Sequence, residues 1–195
     1  MNLVLASTSK YRAGLLAQLM LPFIQVDPAT LEQRQPGEDP NALCRRLATE
    51  KARSAAGEVA GEFLVIGSDQ VAVCEGEVLG KPGSFERAFE QLSRCAGRWV
   101  NFETGVCLLS STGYEETASE SFAIKFRSLD DHDITRYLNI DTPFDCAGSI
   151  KLESVGIALI EDTLGRDLNT ALGLPLMLLR EMFARAGVNL LNEIN

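Results

Sequence analysis

The chain has 195 residues, 46% of them hydrophobic, and a formal net charge of −9. That length buries a real core as one large domain, and the acidic balance argues against wrapping DNA or RNA, which calls for broad basic surfaces. No apolar run approaches the roughly 20 residues that span a bilayer, the chain opens directly on a strand-like segment, and the five cysteines are scattered without a C-x-x-C pair; the expectation is a soluble cytoplasmic protein with neither membrane span nor cleaved signal.

Leu3 to Ala6 reads as a strand running into the hydroxyl-rich turn Ser7-Thr8-Ser9-Lys10, after which Tyr11, Leu15, Leu16 and Leu19 recur at helical spacing. Hydroxyls there cap orphan N–H groups, and the same N–H groups with Arg12 one turn on suit a phosphate. Leu21-Pro22 ends the helix, Phe23 to Val26 reads as a short strand, and a polar loop from Asp27 to Glu38 carries Glu32. Asp39-Pro40 starts a helix with Leu43, Leu47, Ala48, Ala52 and Ala55 on its buried stripe and Lys51 late in its length.

Phe63-Leu64-Val65-Ile66 reads as a doubly covered strand that stops at Gly67-Ser68-Asp69-Gln70, placing Asp69 at its carboxyl end, where ligands gather in open α/β sheets. Val71 to Val73 and Glu77 to Leu79 flank a hairpin turn at Glu75-Gly76 that delivers Gly80-Lys81-Pro82. This segment departs from a Walker A loop, since Pro82 stands where the magnesium-binding hydroxyl belongs, yet it still presents one ammonium at a fixed point. Ser84 caps a helix that ends near Gly97; Trp99 to Leu109 and Thr117 to Arg127 form a strand pair; Asp130 to Ile140 is helical, with the only histidine, His132, a solvated first-turn residue. A small-residue loop from Asp145, a strand from Gly156 to Ile160 and a final helix opening at Gly173-Leu174-Pro175 complete the chain.

Ser7, Arg12, Lys51, Asp69 and Lys81 thus fall at or near element ends that a mixed sheet brings to one rim, and with Glu32 they suit a polyphosphate held with a divalent metal that acidifies its bound water. Leu5-Ala6-Ser7-Thr8-Ser9 with Arg12, Glu32, Lys51-Ala52, Gly67-Ser68-Asp69-Gln70, Gly80-Lys81-Pro82, Asp145-Cys146-Ala147-Gly148-Ser149 and Gly173-Leu174-Pro175 occur in an order that resembles the Maf family of nucleotide pyrophosphatases, over roughly Leu3 to Ala186. The resemblance implies an α/β fold similar to the inosine triphosphate pyrophosphatases: a single Maf-like domain, residues 1–195, with a mixed sheet, helices on both faces and two lobes around a cleft, often as a homodimer. It implies cleavage of a nucleoside triphosphate to the monophosphate and pyrophosphate with a divalent cation, magnesium or manganese.

Matched residue by residue, Ser7 and Arg12 bind phosphate, Lys51 and Lys81 neutralise the polyphosphate, and Glu32 and Asp69 stand at the metal and attacking water, so that Asp69, Lys81, Lys51 and Glu32 are the implied catalytic set. Lys10 and Ala13 depart from the proline and second arginine usual in the turn, and Leu31 replaces the first of an acidic pair. Gln70, with Lys151 and Glu153 as further substrate residues, looks like the branch that hydrolyses 7-methyl-GTP in a housecleaning role, and a carboxylate such as Glu153 would attract the cationic N7-methylguanine. The dTTP/UTP branch of the same family and a nucleotide-binding regulator of cell division are the alternative functions.

Overall fold

The computed structural model describes residues 2–194. In chain order the strands are β1 (Asn2–Ala6), β2 (Phe23–Gln25), β3 (Phe63–Cys74), β4 (Glu77–Leu79), β5 (Trp99–Ser110), β6 (Glu115–Phe126) and β7 (Ile160–Leu164). The helices are α1 (Lys10–Ala17), α2 (Pro40–Ala56), α3 (Phe85–Cys95), α4 (Asp131–Asp141), α5 (Asn169–Leu172), α6 (Leu176–Arg185) and α7 (Leu190–Glu193). One mixed sheet runs β2-β1-β3-β5-β6-β7, with β4 added to β3; β1 pairs in parallel with β2 and β3, and the remaining pairs are antiparallel.

The caps expected from sequence form: Ser9 accepts from Arg12 N, Asp39 from Asn41 N and Ala42 N, and Ser84 from Arg87 N; Asp130, expected inside its helix, also caps it by accepting from Asp133 N. Glu75 and Gly76 both take positive φ in the β3–β4 turn, the geometry a tight hairpin asks for. Three other expectations change. The first helix ends at Ala17, ahead of Leu21-Pro22. Gly156 to Ile160 forms no strand: Val155–Leu159 is a 3-10 turn, because the buried Asp141 carboxylate accepts from Ser154 Oγ at 2.7 Å and Gly156 N at 3.2 Å, and the strand begins only at Ile160.

The third change bears on the site. β3 does not stop at Gly67 but continues to Cys74, with Asp69 in its interior, because β5 pairs with it from Leu64 to Cys74. Gly67 serves a close approach instead of a bend, since a Cβ there would lie 2.1 Å from the Ala48 carbonyl oxygen of α2. The opposite edge of β3 is shared. β1 pairs with Phe63 to Gly67 and β4 with Ala72 to Cys74, so Ser68 to Val71 has no strand neighbour on that side. The Ser7 turn leaves β1 at one lip of this gap and Gly80-Lys81 leaves β4 at the other.

Side chains of β3 alternate between faces. Val65, Asp69 and Val71 face α2, packing with Ala48, Ala52, Leu43 and Leu47. Leu64 and Ile66 join β1, α1 and α6 in a core at one end of the other face, while Ala72 and Cys74 join α3 and α4 in a second core at the far end. Ser68 and Gln70 lie between those two cores, and both bond to the backbone at the end of α5.

Candidate active site

A cavity of about 460 Å³ opens at the gap. Its walls include Ser7, Arg12, Glu32, Lys51 and Lys81, five of the residues singled out from sequence. Each arrives by a local device. Ser7 follows the last residue of β1 and its Oγ accepts from Ser9 N at 3.1 Å and from an Arg12 terminal nitrogen at 3.4 Å. Arg12 lies in the first turn of α1, and Lys10 at its start, the N-cap Ser9 and the preceding Thr8 also border the cavity, a setting that suits an anion. The Arg12 fork is fixed from behind, where its Nε donates to the Gly173 carbonyl at 3.0 Å.

Glu32 rides on the Asp27–Glu38 loop, which is tied down at both ends: Ser54 Oγ donates to Pro28 O at 2.5 Å, and Arg46 grips the Glu38 carboxylate with Nε at 2.7 Å and Nη2 at 2.8 Å. Lys51 is only 3% exposed on the face of α2 that meets the sheet. Its Nζ donates to Asp69 Oδ1 at 2.6 Å and to Glu32 Oε1 at 2.5 Å, so one buried ammonium joins the two carboxylates expected at the reaction centre. Asp69 is 5% exposed, and burial pushes its carboxyl above the usual value against the pull of Lys51 and Arg12. Burial acts upward on Glu32 as well, but Lys51, Lys81 and Arg12 outweigh it and hold that carboxyl below the usual value.

The other sequence candidates lie apart. Gln70 is turned to the opposite face of β3 and does not line the cavity; its Nε2 donates to Thr170 O at 2.6 Å and to Thr104 Oγ1 at 3.1 Å. Lys151 also stays outside, its Nζ donating to Asp141 O at 2.6 Å at the end of α4. Glu153 is exposed beside Tyr11 and Leu172, bordering a neighbouring hollow of about 280 Å³. Two cavity residues escaped the sequence reading. Tyr11, placed on a helical apolar stripe, lines the cavity mouth with its hydroxyl 3.5 Å from Asp145 Oδ2, and Asp145 lines it too. Burial above all, then Cys146, Asp145 and Glu153, pushes the Tyr11 phenol well above its usual pKa. The cue was present in the Asp145-Cys146 motif, but nothing in sequence spacing brings it to α1.

Fold and cavity define an α/β protein with a cleft lined by Arg12, Lys51 and Lys81 and backed by a lysine-bridged carboxylate pair. The chain belongs to the Maf-like protein family, whose model matches residues 2–186. A Pseudomonas syringae pv. tomato relative named 7-methyl-GTP pyrophosphatase is 48% identical over 189 residues, covering 96% of this chain and 98% of its own. A Pseudoalteromonas atlantica protein of the same name is 45% identical over 195 residues, with 100% of both chains covered. Among solved structures, the Staphylococcus aureus Ham1 protein aligns at 14% identity and a TM-score of 0.45, over 65% of this chain and 72% of its own.

Proposed function

We propose that this chain is a metal-assisted pyrophosphatase that hydrolyses 7-methyl-GTP to 7-methyl-GMP and pyrophosphate. The observation that carries this reading is the convergence of Arg12, Lys51 and Lys81 with Glu32 and the adjoining Asp69 at one gap in the sheet. A stable fold gains little from burying an ammonium between two carboxylates, whereas polyphosphate chemistry needs both signs of charge side by side.

The carboxylates fit a hard divalent cation such as magnesium or manganese. Both offer oxygen donors, and the Lys51 bonds occupy only Asp69 Oδ1 and Glu32 Oε1, which leaves Oδ2 and Oε2 as ligand atoms. When bound there, such an ion neutralises phosphate charge and acidifies water. Arg12 binds phosphate through its outer nitrogens, oriented by the Gly173 carbonyl, while Lys81 neutralises the leaving pyrophosphate from the opposite lip. Asp69, ionised and held by Lys51, accepts the proton of the water that attacks the α-phosphorus, and the α–β bridging oxygen departs on pyrophosphate. Lys51 holds that carboxylate in place through the cycle.

The name shared by the relatives and the carboxylates of Asp145 and Glu153 beside Tyr11 support the methylated substrate. N7-methylguanine carries a positive charge, and Asp145, Glu153 and the Tyr11 ring offer carboxylates and an aromatic face beside the phosphate cavity. The deciding experiment is pyrophosphate release from 7-methyl-GTP, GTP, UTP and dTTP with magnesium or manganese, before and after chelation. The expected result is the highest kcat/KM on 7-methyl-GTP and loss of turnover on chelation. A preference for UTP or dTTP overturns the substrate assignment, and no turnover of any triphosphate overturns the enzyme assignment.

A further inference from the structure

The polar belt between the two cores has a direction. Gln70 Nε2 and Thr104 Oγ1 both donate to Thr170 O, at 2.6 and 2.8 Å, and Gly173 N donates to the same carbonyl at 3.1 Å. Gly173 caps α5 in the left-handed region at φ 109°, a conformation that suits glycine. Its own carbonyl then points toward β3 and α1, accepting from Ser68 Oγ and from Arg12 Nε, each at 3.0 Å. The last turn of α5 is therefore a strap. Sheet side chains hold it at Thr170, and it holds the Arg12 guanidinium at Gly173.

Packing alone does not call for these groups. They lie between two apolar cores, and the belt tolerates an unpartnered buried hydroxyl, Thr170 Oγ1, which costs stability. Local rules broken in a core without a packing gain point to function. We infer that Gln70 is a positioning residue for phosphate binding: through Thr170 and Gly173 it fixes the orientation of the Arg12 fork, and it makes no contact with the nucleobase. The inference rests on the cavity being a triphosphate site and gives Gln70 a role on the face of β3 opposite Asp69. An arginine already oriented by a backbone carbonyl loses less freedom when it binds two phosphate oxygens, so the effect falls on binding more than on the chemical step.

The test is a double-mutant cycle on the full chain, read by KM, kcat and the calorimetric affinity for inorganic tripolyphosphate, a probe with no base. Gln70→Leu removes the donor to Thr170 while keeping an apolar fill. It is expected to raise KM for the nucleotide about tenfold and to weaken tripolyphosphate by the same factor, with kcat changed less than KM. Arg12→Lys keeps the charge but cannot reproduce the fixed fork, so adding Gln70→Leu to it is expected to cost less than twofold more, although the melting temperature falls by the same amount in both backgrounds. Equal KM losses with and without Arg12 overturn the inference, as does unchanged tripolyphosphate affinity with altered discrimination between 7-methyl-GTP and GTP. Where Gln70→Leu does not fold, Thr104→Val, which removes the other side-chain donor to Thr170 O, is scored by the same criteria. Wild-type protein that binds no tripolyphosphate refutes the cavity assignment itself.

Discussion

Replacing Lys51 with methionine removes the charge that joins Asp69 to Glu32 and keeps most of the side-chain volume. The two partners do not weigh equally. The Glu32 side chain is 51% exposed, so that arm is a solvent-screened pair of about 0–1 kcal/mol. The Lys51 and Asp69 side chains are only 4% and 8% exposed, so Lys51→Met leaves a buried carboxylate without its 2.6 Å partner, a loss of about 3–5 kcal/mol. The gross attraction for charge centres ~4 Å apart at an effective dielectric of ~20 is about 4 kcal/mol, which is consistent with that range. Urea unfolding is the assay, and pH sharpens it. The Asp69 carboxyl is already raised by burial, and losing Lys51 removes the strongest opposing influence, so in the variant it rises further. An acid whose folded pKa exceeds its unfolded value binds its proton more tightly when folded. The resulting penalty is absent below the unfolded pKa of about 4 and complete only above the folded one. The deficit of Lys51→Met is therefore expected to grow as the pH rises above about 4, and Asp69→Asn in the same chain to recover at least half of it. A deficit below about 1 kcal/mol, one that is flat with pH, or a double variant that costs the sum of the singles refutes a buried, charge-dependent pair.

Four further outcomes are expected. Glu153→Gln keeps the shape and removes the charge facing the hollow beside Tyr11, so the ratio of kcat/KM for 7-methyl-GTP to that for GTP is expected to fall about fivefold or more, with GTP itself little changed; an unchanged ratio refutes the electrostatic origin of base selectivity. Gly67→Ala places a Cβ 2.1 Å from the Ala48 carbonyl oxygen and 2.8 Å from Ala52 N, where only backbone can yield, and is expected to cost about 3 kcal/mol or more by urea unfolding. Gly14→Ala, with nothing within 4 Å inside α1, is expected to stabilise by about 0.5–1 kcal/mol, so equal effects at the two glycines contradict the close-approach account. The Arg46 hydrogen bonds, and then Gln35 N, hold the Glu38 carboxyl down at about 2. This group stabilises the fold above its unfolded pKa of about 4.3 and loses that contribution as pH falls toward 2. Unfolding curves of wild type and Glu38→Gln should therefore separate at neutral pH and converge at the acid end.

Element existence and capping were legible in the chain because they are local. Asp39-Pro40 and Ser84 each announce a helix start through chemistry that acts over three residues, and Glu75-Gly76 announces a hairpin in the same way. The acidic and basic members of the site were legible as a set in order along the chain. What stayed hidden depends on partners distant in sequence. Gly67-Ser68-Asp69 has the composition of a turn, and only pairing with β5 about 40 residues on and the passage of α2 over Gly67 turn it into strand interior. The segment from Gly156 to Ile160 reads as a strand, yet Asp141 captures its backbone N–H and folds it into a 3-10 turn.

The corrected position of Asp69 explains the site better than the expected one. At a strand end, a carboxylate is hydrated and mobile, and its pKa stays near the ordinary value. Inside β3 it is clamped by β5 on one edge, while the other edge has no strand beside it there, because β1 has ended at Ala6 and β4 begins pairing only at Leu79, opposite Ala72. The bare stretch between those pairings gives a rigid strand an open edge. Alternation along that stretch then divides the work: Asp69 faces Lys51 on α2, and Ser68 and Gln70 face the strap that orients Arg12. Moving β3 by one residue relative to β5 would exchange these faces, burying Gln70 against Lys51 and aiming the carboxylate at the Thr170 carbonyl. The long β3–β5 ladder, from Leu64 opposite Ser110 to Cys74 opposite Val100, thus does more than build the core: its register puts the carboxylate and the arginine-orienting amide on opposite faces of one strand.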